Sequence, residues 1–165
     1  MEIEELWGLI ALGKDAPRDY TDWAEHRMAQ EESDTLVILA SLGLDKEPIR
    51  EDVVHYFHRY LNERLITQPT KEESLSRYVN HLCRQTIDKA LDPDCAVLLL
   101  ADLHRNTGFE GGWDNPWSQL SYDLTLLDMG EKVRFFHPEL KQSNRNDYIM
   151  SFASSYLSLR TISVC

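Results

Sequence analysis

The chain is punctuated for helices from end to end. Asp92-Pro93 and Asn115-Pro116 each place a capping side chain before a proline, and Glu47-Pro48 places proline in a first helical turn. Thr70 is followed three residues later by Glu73, a capping box in which each side chain accepts from the other residue's amide. Behind each signal the apolar residues recur at three- and four-residue spacing, which lines one face of a helix. The expected fold is therefore all-α: a single-domain bundle of about eight helices across residues 1–165, with adjacent pairs of the length of stacked helical hairpins.

The expected elements follow from these signals. Residues 2–12 form a first helix closed by Gly13, where positive φ costs glycine little. Asp19 caps a second helix running to Gln30, with Tyr20, Trp23, Ala24 and Met28 inward. Ser33 or Asp34 caps a third over residues 35–42. The run 36–39 also fits a short buried strand, and the flanking cap and Gly43 favour helix. The fourth opens at Glu47-Pro48 and turns Ile49, Val53, Tyr56, Phe57, Tyr60 and Leu61 inward. The fifth follows Thr70 and carries Leu75, Tyr78, Val79, Leu82, Thr86 and Ile87. Residues 95–103 are apolar almost all round, so the sixth helix is expected to be central and covered by neighbours. Asn115-Pro116 starts a seventh with Trp117, Leu120, Leu124 and Leu127. Residues 133–136 read as a short extended piece, and Asn144 caps a last helix with Tyr148, Ile149, Phe152 and Tyr156. The β-branched tail from Thr161 reads as frayed or extended.

Charge bounds the partners. The chain carries 28 acids and 17 bases, a net of −11. Residues 1–52 hold 14 of the acids and 5 of the bases, a net of −9. Such a field disfavours nucleic acid and anionic membrane and favours a basic protein. The longest strongly apolar stretch, 95–101, is too short to span a bilayer, and the acidic N-terminus does not read as a signal peptide. Three cysteines at irregular spacing contain no C-x-x-C. Cys83 and Cys95 read as small core residues and Cys165 as exposed, usage that suits a reducing cytoplasm.

Chemistry-bearing patterns are sparse. Asp52, His55 and His58 lie at helical spacing and form half of a carboxylate-x-x-His metal motif, without a second unit around His81 or His104. A metal-binding or hydrolytic helical-bundle enzyme using these three residues is the alternative reading. No G-x-S-x-G, Walker or G-x-G-x-x-G pattern occurs, so the chain leans away from catalysis, and no cofactor or metal is expected. Loop 107–117 stands out with Phe109, Trp113 and Trp117 among three glycines. Its Glu110, Trp113 and Asp114 are candidate binding residues for a basic group, unless the loop is a packed connection. The other candidates are the acids Asp15, Asp19, Asp22, Glu25, Glu31 and Glu32, expected to be exposed.

In charge, size and lack of catalytic motifs the chain resembles, as a class, the small acidic bacterial immunity proteins that neutralise toxins. That resemblance implies a non-enzymatic inhibitor covering a basic toxin surface, such as a nuclease groove. A helical scaffold or regulatory subunit is the third reading, and it predicts a sizeable exposed apolar patch or a stable oligomer.

Overall fold

The computed structural model describes residues 1–162; Cys165 and the end of the tail lie outside it, and of Thr161 and Ile162 only the helical backbone is described. The chain is all-α. Among the described residues it forms α1 (Ile3–Leu12), α2 (Pro17–Met28), α3 (Asp34–Leu42), α4 (Arg50–Glu63), α5 (Lys71–Ile87), α6 (Pro93–Thr107), α7 (Pro116–Asp128) and α8 (Arg145–Ile162), with short 3-10 turns at Phe109–Asp114 and Gln142–Asn144. The fragment 36–39 is helical. Chain contacts divide into two compact units, Met1–Tyr78 and Val79–Cys165, the division falling within α5.

Capping chemistry sets most boundaries. Ser33 accepts from the amide of Leu36, Asp92 from Cys95 and Asn115 from Trp117. Both halves of the Thr70–Glu73 box form, at 2.8 and 3.2 Å. Gly13 closes α1 at φ 65°. Three boundaries differ from expectation. Asp19 is not the cap of α2: Pro17 starts that helix, and Asp19 reaches back from its first turn to the amide of Ala16 at 2.7 Å. α4 begins at Arg50, after Pro48, and Ile49 is left 61% exposed. Asn144 ends a 3-10 turn and accepts from Lys141, so it folds back instead of capping α8.

Unit 1 is built around Phe57, which is 1% exposed. Trp7, Tyr20 and Trp23 each approach its ring edge-on, with centroids 5.3, 5.2 and 5.1 Å away. Such geometry aligns the positive ring edge with the negative face and adds about 0.5–1.5 kcal/mol per pair beyond burial. Leu6, Leu36, Leu39 and Val53 complete the core. The Tyr60 hydroxyl donates to Glu31 at 2.6 Å, and Arg27 and Arg64 flank the same carboxylate.

Unit 2 buries Leu100, Trp117, Leu120 and Ile149. Phe152 and Tyr156 of α8 meet the Trp117 ring edge-on, at 4.8 and 5.6 Å. Arg145 ties the start of α8 to Asp94 of α6 and Asp128 of α7. The expectation that α6 is covered on all sides fails. Ala96, Val97, Leu100, Ala101, Leu103 and His104 are buried, whereas Cys95, Leu98 (61%) and Leu99 (44%) are exposed. A run that is apolar all round does not say how many neighbours cover it. Cys83 is buried, as expected, and burial pushes its thiol up to about 12.

Gly8 marks a tight helix contact inside unit 1. A Cβ there would come within 2.6 Å of three Tyr78 side-chain atoms, including Cβ and Cγ. Helix propensity alone favours Ala over Gly by about 1 kcal/mol. Gly8→Ala is instead expected to destabilise by about 1–3 kcal/mol, the usual cost of overpacking, in urea denaturation. A gain in stability would show that Tyr78 moves aside freely.

Candidate functional site

A buried carboxylate organises the surface of unit 2. Asp123 sits on the inner face of α7 at 0% exposure. Its Oδ1 accepts from the amide of Phe135 at 2.9 Å, and its Oδ2 from the amides of Phe136 and His137 at 2.8 and 2.6 Å. The expected extended piece at 133–136 is thus an irregular strap held by a side chain, and no strand occurs among the described residues. The strap ends in His137, whose Nδ1 lies 2.9 Å from the Tyr148 hydroxyl and whose ring packs against Phe152. Burial holds the His137 pKa below its usual value, with the Asp123 charge opposing that shift. Sequence reasoning passed over Asp123, although an acid between Tyr122 and Leu124 on an otherwise apolar stretch was a visible anomaly.

With their backbone fixed inward, Phe135 and Phe136 turn their rings outward, 65% and 49% exposed. Tyr122 stands beside both, at 6.0 and 6.3 Å between centroids. Opposite, Trp113 is 72% exposed and carries the Arg105 guanidinium 5.0 Å from its ring centre. Between these walls lies a groove of about 600 Å³, lined also by Asp114, Ser118, Ser121 and Thr125. Arg105 is anchored at two points: its Nε donates to the Ala101 carbonyl at 3.1 Å and its Nη2 to the Ser121 hydroxyl at 3.2 Å. It makes no ion pair among the described residues.

Loop 107–117 is both packed and exposed. Gly112, Asn115 and Trp117 are buried, and the backbone takes positive φ at Glu110, Gly111 and Gly112. A left-handed φ is unusual for glutamate. Here the side chain is held by the Tyr156 hydroxyl at 2.7 Å and by Arg160, so Glu110 stays exposed but is engaged within unit 2. His104 supports the loop through Nδ1, 2.8 Å from the Phe109 carbonyl, and burial keeps its pKa low. Trp113 and Asp114 remain exposed.

The candidate acids of unit 1 divide in the same way. Asp15 is not exposed: its side chain is 5% accessible, accepts from Tyr20 at 2.7 Å and pairs with Arg50. Asp19 is half-buried and accepts from the amide of Ala16 at the start of α2. Glu31 is held by Tyr60, Arg27 and Arg64, and the Tyr60 hydroxyl is the main reason its pKa falls below the usual carboxylate value. Asp22, Glu25 and Glu32 are exposed and enter no ion pair among the described residues. Spacing on a sequence cannot separate these groups, because the partners lie up to 35 residues away.

Asp52, His55 and His58 all lie on the exposed side of α4. Among the described residues no three His, Cys, Asp or Glu side chains come close enough to hold a metal ion. Among the described residues the half motif on α4 gains no further ligand. No helix among the described residues is long and apolar enough to cross a membrane. Comparison with protein-family models, with curated proteins and with solved structures gave no match.

Removing the Asp123 carboxylate strands three amides at once. Each unpaired buried donor costs about 1–3 kcal/mol, so Asp123→Ala is expected to destabilise the protein by about 3 kcal/mol or more. Asp123→Asn, which keeps one acceptor oxygen, should lose less. Urea denaturation of both variants checks the order. An alanine variant within about 0.5 kcal/mol of the native protein, the range of an ordinary surface change, would contradict it.

Proposed function

We propose that this chain is a non-enzymatic protein-binding domain that covers a basic surface on another protein. Its specific form would be an immunity or inhibitor protein acting on a basic toxin, such as a nuclease, in the bacterial cytoplasm. The observation that supports this reading is the way unit 1 distributes its charge. Residues 1–78 contain 17 acids and 9 bases, a net of −8. Arg27, Arg50, Arg59 and Arg64 are taken up by carboxylates of the same unit, and Arg18 by the Gly43 carbonyl. Asp22, Glu25 and Glu32 face solvent with no such partner among the described residues.

An exposed acidic field of this kind acts mainly on encounter. It raises the association rate with a basic partner and sets register, and salt screens it over a Debye length of about 8–10 Å. A nuclease would supply the complementary surface, since its substrate groove must attract phosphate. The exposed aromatic rim of unit 2 favours a second reading, a helical scaffold that holds its partner through apolar contact.

The test is affinity capture from the source cell with tagged protein, in parallel with the variant Asp22→Asn/Glu25→Gln/Glu32→Gln. The expected result is a basic protein held at low salt, released as salt is raised, and held about tenfold more weakly by the variant at low salt, a factor within the reach of a few rim charges. Equal capture by the native protein and the variant, or capture indifferent to salt, would contradict the reading.

A further inference from the structure

Arg105 and Arg134 are the half-buried arginines of unit 2 that make no ion pair among the described residues, and of the two Arg105 lines the groove. The unit holds 11 acids and 8 bases, yet this half-buried guanidinium pairs with none of its carboxylates among the described residues. Its fixation is unusual for an unpaired cation. Two hydrogen bonds and the face of Trp113 hold it in the groove, so its orientation is set before any partner arrives. No hydrogen bond of its Nη1 appears among the described residues. An arginine held this way is a receptor for a planar anion, because the guanidinium fork matches a carboxylate in two parallel bonds.

The walls add a second requirement. Trp113, Tyr122, Phe135 and Phe136 are each about half exposed or more, and the strap bearing two of them is fixed by Asp123. Four aromatic rings held open to solvent on rigid backbone offer a large apolar contact at little further ordering cost. The groove volume of about 600 Å³ lies within the range of about 300–1,000 Å³ found for ligand sites. Its aromatic walls stand open to solvent, so a free small molecule would stay largely wet. A peptide segment suits the shape better, since its backbone must leave the site in any case.

We infer that the groove between α7, Trp113 and the strap 133–137 binds a peptide segment in which a carboxylate side chain adjoins an aromatic or large aliphatic one. The carboxylate is received by Arg105, and the apolar side chain lies between Trp113 and the Tyr122, Phe135 and Phe136 rings. Asp114, exposed at the edge of the groove, opposes a second negative charge and so limits the segment to one acid in contact. The net negative charge of the protein opposes approach only weakly, because charges beyond about 10 Å are screened at about 0.1 M salt. This inference stands apart from the basic-partner reading, and its test alters no acid of unit 1.

The test uses the full chain and three acetylated, amidated probe peptides, X-Phe-Leu with X as Glu, Gln or Lys. Binding is followed by chemical-shift changes of the Phe135 and Phe136 backbone amides beside the groove, which every variant retains. The Glu peptide is expected to bind about tenfold more tightly than the Gln peptide, the share of one charge-assisted pair. Arg105→Gln should erase that preference while leaving the helical circular dichroism unchanged. Trp113→Ala should weaken the Glu and Gln peptides alike. Three results overturn the inference: no shift with any probe at millimolar concentration, equal binding of the Glu and Gln peptides, or preference for the Lys peptide that is lost in Asp114→Asn.

Discussion

The surface of unit 2 depends on one carboxylate. Asp123 is wholly buried, and a carboxylate in that position is tolerable only because three backbone N–H groups converge on it. The same contact removes the freedom of residues 135–137. Their amides point inward, so the rings of Phe135 and Phe136 face solvent beside Tyr122. The groove therefore results from hydrogen bonding to the backbone and needs no regular secondary structure. Unpinned, two adjacent phenylalanines on an irregular segment would collapse onto the nearest apolar surface. The polar anchor keeps them apart from the core.

Unit 1 solves a different problem. Its core is a set of aromatic rings around Phe57, and the polar tips of those rings must be satisfied. Tyr60 donates to Glu31 and Tyr20 to Asp15, and arginines close each pair. The acids in these networks are structural. The negative field comes from the remaining carboxylates, such as Asp22 and Glu25 on the exposed side of α2 and Glu32 in the connection before α3. Core construction and surface charge thus draw on the same residue types, and position in the fold decides which role each takes.

That division explains what could be read from the sequence. The Thr70–Glu73 box, the Asp92 cap and the Asn115 cap were legible because donor and acceptor lie two or three residues apart. The apolar stripes of α5 and α7 were legible because helical spacing alone defines the buried face. Asp123 was not, since its partners lie 12 to 14 residues ahead in a segment with no periodicity. The exposure of Leu98 and Leu99 was not legible either, because it depends on which helices pack against α6. The burial of Asp15 was not legible, because Arg50 lies 35 residues away, nor was the pairing of the exposed Glu110 with Arg160, 50 residues on. Trp113 and Asp114 did emerge from the glycine-rich loop as candidate binding residues, whereas the arginine on the preceding helix, whose guanidinium lies over the Trp113 ring, carried no signal of its own.

The aromatic wall is held from behind by Asp123, and backbone hydrogen exchange tests this hold most directly. The amides of Phe135, Phe136 and His137 should exchange slowly, with protection close to that of the α7 interior, although the two phenylalanine side chains stand in solvent. Exchange at the rate of an open loop would mean that Asp123 does not hold the strap, and the groove would then have no fixed wall on that side.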